Sequence, residues 1–218
     1  MCGRFALLAP SEEIVKHFRL KRGFSMTARY NIAPTQIIPI IRSPGEQVDF
    51  VRWGLIASWT KQQEKIPSGV INARLETIAQ KPTFRLPFAK QRCIVPASGY
   101  YEWKTVKDRK QPFYVTLPSK SLMGFAGLWD RWMTPEGDML ESCALLTTES
   151  QGEWARIHDR MPLLLSESQY DIWLDASFSP IRLQEIIGEP IEWSLKIFPV
   201  TSRVNNPRFD AKECIQTL

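Results

Sequence analysis

The run Arg92-Cys93-Ile94-Val95-Pro96-Ala97-Ser98-Gly99-Tyr100-Tyr101-Glu102-Trp103 reads as a strand pattern that begins at Arg92 and continues to Trp103. Its apolar, β-branched and aromatic residues suit a pleated, enclosed surface. Glu102 is the residue that does not belong there. A carboxylate set among aromatics is desolvated, which raises its pKa and fits it for acid or base work near neutrality. The plainer alternative is a strand-end Glu paired with Lys104.

Strand patterns recur on both sides of this run. Residues 36–42, ended by Ser43-Pro44-Gly45, and 48–55 read as a strand and its return. So do 113–117, 122–132, 142–148, 163–165 and 195–200, with turns at 108–111 and 134–138. The helices are few. Ser11 reads as an N-cap, followed by Glu12 and Glu13, for a helix that Gly23 would end, with His17 on its solvated side. Residues 84–89 and 154–161 read as short helices, the second stopping before Pro162. Ser166 to Gln169 fits a capping box opening a helix through Trp173 and Leu174. Ser179-Pro180 opens another, closed by Gly188. Many short strands with a few helices predict an α+β fold, a single domain spanning 1–218, around a mostly antiparallel, barrel-like sheet.

The totals are those of an ordinary globular chain: 218 residues, 44% hydrophobic and 23% charged. A net charge of +5 permits a polyanionic partner without requiring one. The four cysteines, at 2, 93, 143 and 214, have neither metal-site nor disulfide-framework spacing, so no metal and no cofactor is expected. Cys93 and Cys143 read as core residues. No leader and no apolar run of membrane-spanning length is visible, which predicts a cytoplasmic protein with no membrane association. There are only two histidines, His17 and His158.

Cys2 is the most reactive position. Cysteine is small enough for Met1 to be trimmed from in front of it, leaving an α-amine beside a thiol. Their ordinary pKa values, roughly 7.7–8.0 and about 8.5, keep a usable fraction of each reactive near neutrality. Such an aminothiol condenses with an aldehyde to an imine, and the sulfur then closes a five-membered thiazolidine. The alternative is a disordered terminus whose second residue happens to be Cys. Asn72 and Arg74, polar residues in the apolar approach from Val70 to Thr77, are candidates for a pocket floor or a turn.

Six strings in one order, MCGRF (1–5), YNIAP (30–34), RWGLI (52–56), INARLET (71–77), RCIVPASGYYEW (92–103) and IHDRMP (157–162), closely resemble the SRAP family, the SOS-response-associated peptidases, also described as abasic-site processing proteins. The resemblance spans the chain from Cys2 to about Asn206. It implies recognition of abasic sites in single-stranded DNA and covalent linkage to them through Cys2. It places Asn72, Glu102 and His158 at catalytic-pocket positions and Arg4, Arg74 and Arg160 at DNA phosphates. Asn31, Pro34, Trp53 and Trp103 match the pocket and DNA-facing surface; apart from the resemblance, Trp53 with Pro34 is read as an apolar wedge against a second strand, core packing being the plainer alternative for Trp53. The family's proposed autopeptidase activity and an accompanying lyase activity are further implications, as are a monomeric state and association with the nucleoid when DNA is bound. Two other readings stand beside this one: an N-terminal-nucleophile amidohydrolase using Cys2, and a non-covalent single-stranded nucleic-acid-binding module in which Cys2 is incidental.

Overall fold

A computed structural model of the chain describes residues 2–43, 45–62, 64–118, 122–188 and 193–218. The elements in chain order are β1 (Phe5–Leu7), α1 (Ser11–His17), β2 (Arg29–Ile32), β3 (Ile37–Arg42), β4 (Val48–Trp53), β5 (Asn72–Arg74), α2 (Pro82–Lys90), β6 (Arg92–Ala97) and β7 (Gly99–Val106). They continue with β8 (Arg109–Thr116), β9 (Met123–Met133), β10 (Met139–Glu149), β11 (Arg160–Pro162), β12 (Leu164–Leu165), α3 (Tyr170–Leu174), α4 (Pro180–Gly188) and β13 (Lys196–Pro199). The fold class is α+β, as its sequence predicts.

Two sheets divide these strands. In the first, wholly antiparallel, the order is β13-β8-β7-β1-β2. In the second, β10-β4-β3-β6-β9 closes on itself through the β9–β10 pairing, giving a five-stranded barrel. β10 runs along β9 on one edge, and on the other it meets β4 and then β5, both in parallel. At Thr147–Glu149 it pairs with β11.

The run from Arg92 to Trp103 is two strands. β6 belongs to the barrel, pairing with β3 and β9, whereas β7 belongs to the first sheet. The chain changes sheet at Ser98, whose N–H donates to Ala6 O at 2.7 Å and whose hydroxyl accepts from Leu8 N at 2.8 Å. Because successive side chains of β7 alternate in direction, Tyr100 and Glu102 face one way and Tyr101 and Trp103 the other. Tyr100 joins the main core with Phe5, Trp53 and Phe125. Phe5 packs edge-on against Trp53 (5.3 Å between centroids) and Phe125 (6.1 Å), and this aromatic seam joins the sheet to the barrel. Tyr101 packs instead with Ala6, Tyr114, Val200, Val204 and Cys214 under the C-terminal segment.

Several local expectations need correction. The first helix starts with Ser11 inside it and ends at His17, well before Gly23; Arg19 then takes a left-handed conformation (φ 55°). The Ser11 hydroxyl caps nothing in its own helix and accepts from Met26 N at 3.2 Å. His17 is half-buried rather than fully solvated, with its Nε2 3.2 Å from the Tyr170 hydroxyl. β8 begins at Arg109 because Lys107 and Asp108 (φ 47° and 62°) form the tight turn of the hairpin by themselves. The helix expected over 154–161 is a single 3-10 turn, Gly152–Arg156, followed by β11. Pro44 of the expected Ser43–Gly45 turn lies outside the described residues. Gly54 (φ 129°) and Gly69 (φ 74°) cross back to back, each Cβ position filled by the other segment's backbone carbonyl, which brings Leu55 and Val70 into a bridge.

Arg92 braces the helices against the barrel. It is 3% exposed, and its guanidinium donates to the carbonyls of Phe88, Ala89, Trp173 and Asp175 at 2.5–2.9 Å. These carbonyls lie at the C-terminal ends of α2 and α3, where the helix dipole favours a cation. Arg92→Ala leaves them unpaired, so a loss of about 3 kcal/mol or more is expected. For a chain of this size that is about 6–12 °C in thermal midpoint, measurable by calorimetry.

Candidate active site

Cys2 leads directly into β1, which lies between β7 and β2 rather than at an edge. Arg4 O accepts from Tyr101 N at 3.0 Å, and Phe5 pairs with both Tyr100 and Ile32. This ladder holds the start of the chain against the residue pair that precedes Glu102. Cys2 is 0% exposed, its carbonyl accepts from Asn72 Nδ2 at 2.8 Å, and its Sγ lies 3.7 Å from Arg4 O. Met1 lies outside the described residues.

Each of the other three groups arrives on a different element. Asn72 opens β5, held by the parallel pairing with Leu145. Behind it, the Trp53 indole N–H donates to Ile71 O at 3.0 Å. Glu102 comes from β7. His158 follows the 3-10 turn and precedes β11, and its Nδ1 sits 2.9 Å from Arg160 N and 2.8 Å from Asp159 Oδ1. One nitrogen cannot serve both contacts in one protonation state. Neutral and protonated at Nε2, the ring accepts from the amide; protonated at Nδ1, it donates to the carboxylate.

The electrostatics follow from enclosure. Glu102 is 2% exposed, and burial raises its pKa, opposed by His158 and by the Trp103 backbone N–H. Burial also pushes the Cys2 thiol well up, and the Glu102 charge adds to this. The resting group is therefore a thiol, which revises the ordinary value taken from sequence. Asn72 Oδ1, Tyr100 Oη and Trp154 Nε1 are buried polar atoms with no hydrogen-bond partner among the described residues. Asn72 touches Cys2 and Tyr100 stacks on Trp154, and unpaired buried groups of this kind suit a polar ligand.

The remaining sequence candidates scatter. Arg4 donates from Nη1 to Asn31 Oδ1 (2.7 Å) and to Val204 O (2.6 Å). Asn31, fully buried, donates in turn to the carbonyls of Val204, Asn206 and Phe209. These two residues tie the C-terminal segment to β2; Asn31 is enclosed, whereas Arg4 is half-buried and its Nε has no partner among the described residues. Trp53 is 0% exposed and has no surface for a base or a second strand, so its contribution is to back Phe5 and Ile71. Pro34 and Trp103 are half-buried, with the Trp103 indole donating to Asn205 Oδ1 at 2.8 Å. Arg74 is exposed beside Asn72.

Arg160 is 7% exposed and engaged through both Nη atoms, while its Nε has no partner among the described residues. It makes a bidentate pair with Glu76 (2.8 and 3.0 Å) and donates to Thr147 O at 2.6 Å. That Glu76 contact, and the stacking of Trp154 on Tyr100 (5.3 Å, 20°), were not legible beforehand. Tyr100 could have been found from its place two residues before Glu102 on a strand. Among the described residues no cluster of His, Cys, Asp or Glu could hold a metal ion, and no helix is long and apolar enough to cross a membrane.

A profile of the family described as SOS response associated peptidase (SRAP) matches residues 1–207. The chain is 37% identical over 224 residues to the abasic site processing protein YoqW of Bacillus subtilis, covering 100% of both chains. It is 38% identical over 222 residues to the abasic site processing protein YoaM of the same organism, covering 99% of this chain and 97% of that one. Among solved structures, a protein from Bacteroides thetaiotaomicron superposes with a TM-score of 0.87 at 25% identity over 100% of both chains.

Proposed function

Because the chain belongs to the SOS response associated peptidase (SRAP) family, we propose that it processes abasic sites in single-stranded DNA by joining itself to them through Cys2. The observation that carries this reading is the enclosure of Cys2 with Asn72, Glu102 and His158, drawn from four separate elements onto one point. The names of the relatives support the substrate.

With Met1 removed, the Cys2 amine is the first nucleophile, since the buried thiol stays protonated. An abasic deoxyribose must first open from its hemiacetal to offer an aldehyde at C1′. Glu102, its pKa raised by burial, holds its proton to higher pH than an ordinary carboxyl and can deliver it to oxygen. The amine adds to C1′ to give a carbinolamine. Its C1′–O bond then breaks, the oxygen leaves as water with a proton from Glu102, and a C=N bond forms as the nitrogen gives its remaining proton back to the Glu102 carboxylate. The Cys2 S–H adds across that bond, sulfur to carbon and proton to nitrogen, closing the thiazolidine. Asn72 fixes the Cys2 backbone, and His158 assists proton transfer at sugar oxygen. Lyase and autopeptidase activities would use the same groups, imine formation being the entry to the first.

The test is intact-mass measurement after mixing the protein with a uracil-containing single-stranded oligonucleotide treated with uracil glycosylase. The expected product has the summed mass of protein and oligonucleotide less one water. Absence of any adduct refutes the reading.

Recognition falls to exposed cations, which give affinity without sequence preference. Of the arginines proposed for phosphate, Arg74 is the one placed to act directly. Arg74→Ala should weaken binding of undamaged single strands uniformly across sequences. It should also reduce the slope of log affinity against log salt by about one, measured by anisotropy from 50 to 200 mM salt. Arg160→Ala removes the partner of Glu76, so its effect includes lost stability.

A further inference from the structure

We propose that the Tyr100 hydroxyl is a third protic group of the reaction pocket, donating a hydrogen bond to the oxygen that leaves C1′ of the bound deoxyribose. This rests on the covalent reading above and adds a residue to it.

Four observations converge on Tyr100. It lies two residues before Glu102 on β7, so both side chains leave the same face of the strand. It pairs with Phe5 of β1, the strand that carries Cys2. Its hydroxyl is buried and has no hydrogen-bond partner among the described residues, although the residue is 0% exposed. Its ring cannot turn away to find a partner, being stacked on Trp154 (5.3 Å, 20°) and met edge-on by Phe125 (5.9 Å, 85°). A buried hydroxyl held rigidly without a partner weakens the fold, and such groups persist where a ligand supplies the partner.

The same surroundings fix its role as donor. Burial, reinforced by the nearby Cys2 and Glu102, raises the Tyr100 pKa far above the ordinary value, so the hydroxyl does not serve as a base. It keeps its proton throughout. As the C1′–O bond breaks, the departing oxygen accumulates negative charge, takes its proton from Glu102 and is steadied meanwhile by Tyr100. A donor aimed at developing charge strengthens most in the transition state.

Tyr100→Phe preserves the ring and removes only the hydroxyl. At saturating abasic oligonucleotide, single-turnover linkage is expected to slow about tenfold, the worth of one hydrogen bond. The slowing should appear in imine formation, followed by cyanoborohydride trapping. The pH profile should keep its shape, affinity for undamaged strands should hold, and the thermal midpoint should rise. A rate within about threefold of wild type overturns the proposal, as does slowing confined to ring closure. A lowered thermal midpoint also overturns it, since the hydroxyl then has a partner in the fold. If wild type itself forms no adduct, the covalent reading fails and takes this inference with it; if wild type links and Tyr100→Phe keeps pace, only the role of Tyr100 is lost.

Discussion

Cys2→Ala should leave no heat-stable covalent product with an abasic oligonucleotide, a loss of at least about 10³-fold in stable linkage, while affinity for undamaged single strands changes by less than about twofold. Denaturing electrophoresis and anisotropy read the two quantities separately. The side chain is wholly enclosed but small, so the cavity left costs the fold about 1 kcal/mol. Cys2→Ser sharpens the result. Like Cys2→Ala it keeps the amine, and both should still yield an imine that cyanoborohydride traps, but no adduct that survives heating without reductant. A stable adduct with Cys2→Ala would move the linkage to another residue and sink the mechanism.

Glu102→Gln should slow linkage by about 10²–10³-fold, in the range of a well-placed acid–base group, and should flatten the dependence of rate on pH. The ionised carboxylate also holds a proton on the neighbouring amine and so suppresses the nucleophile. Partial protonation of Glu102 resolves that conflict. It also has a cost in stability whose sign is fixed. The folded chain binds the Glu102 proton more tightly than the unfolded chain, because burial lifts the pKa above its usual 4.5. The stability contributed by that proton is complete below pH 4.5 and is lost as pH rises through the folded value. Glu102→Gln escapes this loss, so its thermal midpoint should exceed that of wild type at neutral pH and the gap should close in acid. Linkage at the wild-type rate across the pH range would remove Glu102 from the chemistry.

Much of the architecture could be read from residue pattern, because strands are local. The apolar runs at 122–132 and 142–148 mark β9 and β10 to within a few residues. The partition between sheets was not local. Nothing in Arg92–Trp103 announces that Ser98 hands the chain from barrel to sheet, since both halves are apolar and the hand-over is made by hydrogen bonds to Ala6 and Leu8 from the far end of the sequence. The site shows the same division. Glu102 stood out because a carboxylate among aromatics conflicts with its surroundings. Arg160 looked like a surface cation because its partners, Glu76 and Thr147, are remote in sequence. Trp53 and Asn31 were assigned to a surface on motif position, yet both are enclosed. Motif position identifies who gathers at the site and is silent on which side chains face outward.

The central position of β1 bears on how the protein matures. Its neighbour β7 is synthesised roughly a hundred residues later, so on the nascent chain the terminal aminothiol has no strand to dock against. On the covalent reading, with Met1 removed, it is open during that interval to any small aldehyde, which would cap it as a thiazolidine. Once β7 has arrived, the same group is sheltered from such scavengers. Rapid folding is then a condition for keeping the warhead intact, and slow-folding variants should accumulate as capped, inert molecules.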